Sequence, residues 1–316
     1  MPEVVTLGET MVLFNSMNTG PMKYVTHFAK QIAGAETNFA IGVCRLGHTA
    51  GWISRVGKDE FGKYIVSFVR GEGVDTSQVK VDSEAPTGVL FKERQEEGES
   101  KVYYYRKGSA ASRMTPEDID PNYLQGAKYL HISGITPALS DSCYETILEA
   151  IRIAKSRNVT ISFDPNIRLK LWSEERAREV IMGLIPEVDI VLPGLEEGRL
   201  LVGANEPEEI AASLLKAGAK IVAVKCGAKG AYYAAGDSAE FIPGYPVARV
   251  VDPVGAGDGF AAGFISGLLK GWSYSESVKL ANAVGARATQ VIGDVEGLPT
   301  FEEVEVFLGQ RKEIER

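Results

Sequence analysis

Residues 159–192 read VTISFDPNIRLKLWSEERAREVIMGLIPEVDIVL, and their rhythm decides the fold. Residues 159–163 form a short apolar, partly β-branched run. Residues 174–185 have a helical pattern, and 188–192 return to a β run. Working outward, residues 128–132 predict another strand. It is followed by a helix that carries Tyr144, Ile147, Leu148 and Ile151 at i, i+3, i+4 and i+7. Downstream, 207–217 reads as helix and 220–225 as strand. Strands joined by helices of about 10–15 residues must pair in parallel, because the chain needs a crossover to return. The pattern therefore predicts a doubly wound α/β fold: a mostly parallel sheet with helices on both faces. Nearer the N-terminus, Phe39, Val43 and Leu46 share one helical face that stops at Gly47, and Phe61, Tyr64, Ile65 and Phe68 share another.

Two stretches break this alternation. Residues 10–15 and 87–107 read as strands, and Glu96-Glu97-Gly98-Glu99-Ser100 supplies a polar turn inside the second. That is a hairpin. Large side chains on both faces of residues 102–106 suit a small sheet that covers something. The expectation is a β-sheet lid over the open end of the main sheet. It would be built from roughly residues 10–33 and 86–110 and inserted into a single domain spanning 1–316.

Composition narrows the function classes. The 316 residues are 45% hydrophobic and carry 34 Lys+Arg against 42 Asp+Glu, a formal net charge of −8. A chain of this size buries about three quarters of its unfolded surface, so a large core is available. Net negative charge argues against nucleic acid or an anionic membrane as partner. No apolar run approaches the roughly 20 residues a bilayer span needs. The N-terminus enters an apolar strand without a basic segment, so no secretory signal is read. The three cysteines (Cys44, Cys143, Cys226) are widely spaced, which makes a reducing, cytoplasmic setting the default. His27, His48 and His131 show no metal-ligand spacing.

The strongest local signal is Val250-Val-Asp-Pro-Val-Gly-Ala-Gly-Asp-Gly-Phe-Ala-Ala-Gly263. It reads as a β run ending at Asp252, then the small-residue turn Gly255-Ala256-Gly257, then a helix with Phe260, Phe264 and Leu268 on its apolar face. Unpaired amides and the positive helix end converge in such a turn and make an anion site. Asp258 lies in the first turn of that helix. It is either a helix-start charge or the acceptor of a proton from an alcohol that attacks a phosphate. The competing glycine motifs fail. Position 260 is Phe, so G-x-G-x-x-G is absent and a nicotinamide dehydrogenase is excluded. Gly57-Lys-Asp-Glu-Phe-Gly62-Lys63 ends in Tyr64, where a P-loop needs a hydroxyl.

Five further features are ambiguous in isolation. Gly34 and Asn38 open a helix and are either caps or contacts to a polyol. Arg106 ends the tyrosine-rich lid strand, and Arg168 follows Asp164-Pro165-Asn166 at the C-terminal end of a predicted parallel strand, where open sheets bind ligands. They are surface charges or, together, a receptor for a carboxylate. Tyr103, Tyr104 and Tyr105 divide between packing and ligand. The segment Lys225-Cys-Gly227-Ala-Lys-Gly230 is a β-turn or the wall of a nucleotide groove, while Asn282 is a solvent-exposed amide or an adenine contact. Residues 301–316 read as a solvated terminal helix.

Asp252-Pro-Val-Gly-Ala-Gly-Asp258, Gly34-x-x-x-Asn38, Val56-Gly57-x-Asp59-x-x-Gly62 and Lys225-x-Gly227-x-x-Gly230 together resemble, in order and spacing, the PfkB or ribokinase-like carbohydrate kinases. The likeness covers essentially the whole chain. Within the family, residues 102–111, 130–136 and 164–168 look most like the 2-keto-3-deoxygluconate kinases. The resemblance implies ATP-dependent phosphorylation of a terminal C6 hydroxyl with Asp258 as base and Gly255, Ala256 and Gly257 as the anion hole. It puts Gly34, Asn38, Tyr104, Arg106, Ile135 and Arg168 around a sugar acid. ATP would meet Lys225, Gly227, Gly230, Gly255, Gly257 and Asn282. Mg²⁺ would be organised indirectly by Glu197, where Gly194-Leu-Glu196-Glu197 replaces the more usual Asn-x-x-Glu, and a monovalent cation is associated with the loop that here begins Asp252-Pro-Val. A homodimer or higher oligomer through the lid sheets is expected. A fructokinase-like enzyme and a catalytically dead sugar or nucleotide sensor are the alternatives.

Overall fold

A computed structural model describes residues 1–95 and 101–312. Its strands are β1 (Val4–Leu7), β2 (Met11–Thr19), β3 (Phe28–Ala33), β4 (Ala50–Gly57), β5 (Val79–Asp82), β6 (Val89–Arg94), β7 (Lys101–Tyr105), β8 (Tyr129–Ser133), β9 (Thr160–Asp164), β10 (Ile190–Val191), β11 (Ile221–Lys225), β12 (Gly230–Ala235) and β13 (Ser238–Pro243). The helices are α1 (Ala35–Arg45), α2 (Glu60–Gly71), α3 (Asp141–Ser156), α4 (Glu174–Leu184), α5 (Leu195–Val202), α6 (Pro207–Lys216), α7 (Ala256–Leu269), α8 (Tyr274–Ala288) and α9 (Phe301–Phe307).

Nine strands form one sheet in the order β13-β12-β11-β10-β9-β8-β1-β4-β5. From β5 to β11 every pairing is parallel, and β12 and β13 close one edge as an antiparallel hairpin. Successive residues of a strand face opposite ways, so each strand feeds two cores. Val4, Trp52, Ile190 and Ala223 pack with Phe39, Phe260 and Val284 of α1, α7 and α8. Val5, Ile53, Val191 and Val222 pack with Ile147, Val180, Leu201 and Ile210 of α3 to α6. This is the doubly wound layering that the alternation predicts. α7 and α8 approach so closely that a Cβ on Gly263 would lie 2.7 Å from the Ala281 Cα.

A second sheet has four strands in the order β3-β2-β6-β7. β2 and β6 run parallel, and the outer pairings are antiparallel. The predicted hairpin is β6–β7, with Phe91 opposite Tyr103; its turn at 96–100 lies outside the described residues.

Several boundaries differ from the sequence reading. The strand expected at 188–192 is confined to Ile190–Val191. The β run expected to end at Asp252 is absent, and Val250 and Val251 are exposed. The amides of Val251 and Asp252 donate to the Thr289 carbonyl at the end of α8 instead of joining a strand. The terminal helix ends at Phe307; Gly309 holds a positive φ of 69°, and residues 313–316 lie outside the described set. In the P-loop look-alike Gly57 ends β4, and Gly62 and Lys63 lie inside α2, which Asp59 caps by accepting from the Gly62 amide at 2.7 Å. No helix among the described residues is long and apolar enough to cross a membrane.

Candidate active site

Two cavities meet over the C-terminal ends of the parallel strands. The larger, about 590 Å³, lies between the two sheets. The smaller, about 380 Å³, is walled by Gly227, Gly230, Tyr245, Asn282 and Thr289. Lys225, Pro253 and Gly257 line both, so the turn before α7 is their common wall.

The backbone of that turn can receive an anion. Gly255 adopts φ +79°, a region disfavoured for residues with a Cβ. A Cβ there would also come within 2.3 Å of the Asp294 carbonyl oxygen. Among the described residues the amides of Gly255, Gly257 and Asp258 have no backbone acceptor, whereas Ala256 donates to Pro253 O at 3.3 Å. Ala256 faces the smaller cavity. Expected as part of the anion hole, it contributes the backbone turn, and its neighbours hold the free donors.

Asp258 sits in the first turn of α7 at the floor of the larger cavity. Its Oδ2 accepts from Asn38 Nδ2 at 2.8 Å, and Asn166 Nδ2 lies 3.5 Å from Oδ1. Desolvation and the nearby Asp164 carboxylate push its pKa up to about 7. The Asn38 bond and the charges of Arg168 and Lys225 oppose the rise. A carboxylate in this setting can hold or release a proton near neutrality. Asn38, expected around the substrate, lines the same cavity and gives its amide nitrogen to the acid.

Lys225, at the end of β11, donates to Asp164 Oδ2 at 2.6 Å. Burial works against its charge, but the carboxylates of Asp164, Glu197 and Asp258 outweigh that and raise its pKa, so it stays an ammonium. Its Nζ is 3.6 Å from where a Cβ on Gly257 would stand, and it therefore faces the amide turn.

The remaining predicted residues gather as well. Gly34 caps α1 and Ile135 follows β8; both line the larger cavity with Tyr104, Arg106 and Arg168. Arg106 is buried, and its Nε donates to Glu9 Oε2 at 2.6 Å. Nη2 joins the same oxygen, and Ser109 binds the other. Its guanidinium lies 5.7 Å from the centre of the Tyr104 ring. Arg168, by contrast, is exposed at the cavity rim. The three tyrosines do divide: Tyr104 lines the cavity, Tyr103 donates to Glu93 at 3.2 Å, and Tyr105 packs edge-on against Phe91. Glu197, in the first turn of α5, accepts from the Ile167 amide at 2.8 Å and the Gly194 amide at 2.7 Å, so each oxygen is already in use. No cluster of three or more His, Cys, Asp or Glu suited to a metal ion occurs among the described residues.

Asn282 corrects the solvent-exposed reading. It is buried, and its Nδ2 donates to the carbonyls of Ile242 and Pro243 at 3.1 and 3.2 Å, fixing the edge hairpin to α8 beside the smaller cavity.

Sequence reasoning passed over Glu9, Lys92 and Asp294, and named Asp164, Asn166 and Asp252 only as parts of motifs without a role of their own; all six line the larger cavity. One signal was available for Lys92. Leu90, Lys92 and Arg94 share one face of β6 by period-2 alternation, opposite Val89, Phe91 and Glu93.

The profile described as pfkB family carbohydrate kinase matches residues 1–301. A 2-dehydro-3-deoxygluconokinase from Bacillus subtilis (strain 168) is 44% identical over 314 residues, covering 99% of this chain and 97% of that protein. A 2-dehydro-3-deoxygluconokinase from Thermoproteus tenax is 40% identical over 312 residues, 98% of this chain and 94% of that one. Among solved structures, a putative ribokinase II from E. coli in complex with ATP and Mg²⁺ superposes with a TM-score of 0.91 at 30% identity, covering 98% of this chain and 100% of the other.

Proposed function

The chain belongs to the pfkB family of carbohydrate kinases, and from that premise we propose that it transfers the terminal phosphoryl group of ATP to the C6 hydroxyl of 2-keto-3-deoxygluconate, a sugar acid. The observation that carries the substrate class is the pair of guanidinium groups, Arg106 and Arg168, in the cavity that also holds Asp258. The names of the Bacillus and Thermoproteus relatives support it.

The sugar acid occupies the larger cavity, with Gly34, Asn38, Tyr104 and Ile135 around its chain. Arg168 meets its carboxylate at the rim. Arg106 is held in place by Glu9 through Nε and Nη2, which leaves Nη1 without an ion-pair partner among the described residues. ATP lies along Lys225–Gly230 and Asn282, its terminal phosphate at Gly255–Asp258. Asp258 accepts the hydroxyl proton as the oxygen attacks. The free amides of the turn and the Lys225 ammonium stabilise the charge on the moving phosphoryl group, a reaction that needs chiefly positioning and electrostatics. Mg²⁺ bound with the nucleotide supplies further neutralisation of phosphate charge. The residues present suit that indirect mode, because Glu197 holds the Gly194 and Ile167 amides and orders the nearby loop. Asp252, which opens the loop associated with a monovalent cation, is already paired with Lys92, so this chemistry asks for no such ion at that carboxylate.

The small sheet acts as a lid. On its outer face Phe14, Phe28, Phe91 and Tyr105 form an edge-and-stack cluster with ring centres 5.1–6.5 Å apart. Tyr105 is 66% exposed there. An aromatic patch of this kind on an open sheet suits a second copy of the chain. Light scattering at micromolar concentration checks it: a monomer removes the proposed dimer.

The substrate test is a steady-state comparison of 2-keto-3-deoxygluconate with fructose. The sugar acid's carboxylate gains a charged hydrogen bond with Arg168 worth about 1.5–3 kcal/mol that a neutral sugar lacks, so the sugar acid should have a specificity constant roughly 10- to 150-fold higher. Equal constants would favour a fructokinase-like enzyme; no sugar-dependent ATP consumption would favour a sensor.

A further inference from the structure

Lys92 stands on β6 of the small sheet, yet it is 4% exposed and its ammonium reaches into the main body. It meets Asp252 Oδ2 at 2.5 Å, and Asp252 is itself 6% exposed. The same Asp252 carboxylate organises the turn before α7. Oδ1 accepts from the Val254 amide at 3.3 Å, and Oδ2 accepts from the Gly293 amide, also at 3.3 Å. The next residue, Asp294, presses its carbonyl oxygen against the bare α-carbon side of Gly255. A second tie from the small sheet reaches this loop: Gln31 Nε2 on β3 donates to Glu296 Oε1 at 2.7 Å. Contacts therefore run without a gap from the lid, through Lys92 and Asp252, to the glycine whose backbone shapes the anion turn.

We propose that Lys92 is a positioning residue for phosphoryl transfer: its buried ammonium neutralises Asp252 and so locks the Gly255–Asp258 turn in the donor-ready shape only while the lid is seated on the main sheet. This rests on the kinase reading above and goes beyond it, because it makes assembly of the anion hole conditional on the lid. The physical reason is asymmetric. A paired buried carboxylate can hold two loop amides, whereas the same carboxylate without its cation must find water or another charge, and the loop it anchors moves with it. The reacting hydroxyl and Asp258 are not in this path, so substrate affinity and turnover should separate.

Wild-type turnover with ATP and 2-keto-3-deoxygluconate is measured first; its absence would overturn the kinase reading and with it the role of Lys92. With turnover in hand, Lys92→Ala should lower kcat roughly 10- to 100-fold, the usual range for removing a supporting partner, with both KM values within about threefold. Methylammonium chloride should restore part of that loss by refilling the vacated space with a cation, and sodium chloride at equal ionic strength should not. The double variant Lys92→Met/Asp252→Asn, which removes both charges of the pair, should be more active than Lys92→Met alone. Unchanged kcat in Lys92→Ala would overturn the proposal. So would a rise confined to the sugar KM, which would make Lys92 a direct substrate contact. Should Lys92→Ala fail to fold, Lys92→Gln decides: this neutral side chain of similar reach should still lower kcat at least about tenfold, and a kcat within about threefold of wild type would overturn the assignment, because the ammonium would then not matter to the turn.

Discussion

The two halves of the cleft are built from opposite materials. The larger cavity is crowded with charge: Lys92, Arg94, Arg106, Arg168 and Lys225 face Glu9, Asp164, Glu197, Asp252, Asp258 and Asp294. The smaller one is lined by glycines, alanines, Phe260, Tyr245 and Asn282, with Lys225 as its single charged side chain among the described residues. Most charges in the first are already matched within the protein: Lys92 to Asp252, Arg106 to Glu9 and Lys225 to Asp164. Pairing of this kind fixes side chains ahead of substrate and leaves few groups whose needs a ligand must meet. Under the proposed function, the comparison puts selectivity for the acceptor in a handful of unmatched groups, with Arg168 foremost, and leaves the donor side to shape and backbone.

The sharpest way to break this division is Asp258→Asn. It should lower kcat about 10²- to 10⁴-fold, the range for a general base, while calorimetry finds ATP affinity within about threefold of wild type. If ATP binding falls in parallel, the two cavities are not independent and the division is wrong. Next in size is Arg168→Ala. Loss of a charged hydrogen bond worth about 1.5–3 kcal/mol should cut kcat/KM for the sugar acid roughly 10- to 150-fold and leave fructose nearly untouched. Equal losses for both sugars would show that Arg168 serves the chemistry and not the selection.

A third test uses pH. With its pKa pushed up to about 7, Asp258 is protonated below that value, so kcat/KM should fall as pH drops through about 7. Stability runs the other way. An acid whose folded-state pKa lies above its unfolded value of about 3.8 binds more protons when folded, so stability declines as pH rises from about 4 to about 7. Asp294, also pushed up to about 7 chiefly by burial, adds to the same slope. Asp258→Asn should therefore melt higher than wild type at pH 8, by roughly 2–4 °C, with the gap closing near pH 4. A constant gap across that range would show that the substitution acts through packing and not ionisation. The smallest effect is expected on the donor side. Asn282→Ala frees the Ile242 and Pro243 carbonyls and should raise the ATP KM about threefold to tenfold with the sugar KM unchanged. A shift in the sugar KM instead would place Asn282's influence on the wrong half of the cleft.

Much of this molecule is legible along the chain. The alternation around residues 159–192 describes the parallel sheet because a strand buried on both faces must be apolar throughout and a crossover helix must be amphipathic. The Gly255-Ala256-Gly257-Asp258 turn is legible because small residues and a helix start have few other uses. Legibility fails where neighbours in space are far apart in sequence. Val250 and Val251 look like strand, but the amides of Val251 and Asp252 are captured by Thr289 at the end of α8. Asn282 looks solvent-facing on its helix but serves carbonyls forty residues earlier. Lys92 lies in an apolar-patterned strand where its charge appears unmotivated until Asp252, 160 positions later, is seen beside it.

The order of strands and helices, the anion turn and the acid within it follow from local rules of spacing, propensity and backbone freedom, which the chain carries by itself. Which charges are matched, and hence which remain to meet a substrate, is decided only in the folded molecule. Electrostatic partners are chosen by distance through space, and the packing of the small sheet against the large one sets those distances.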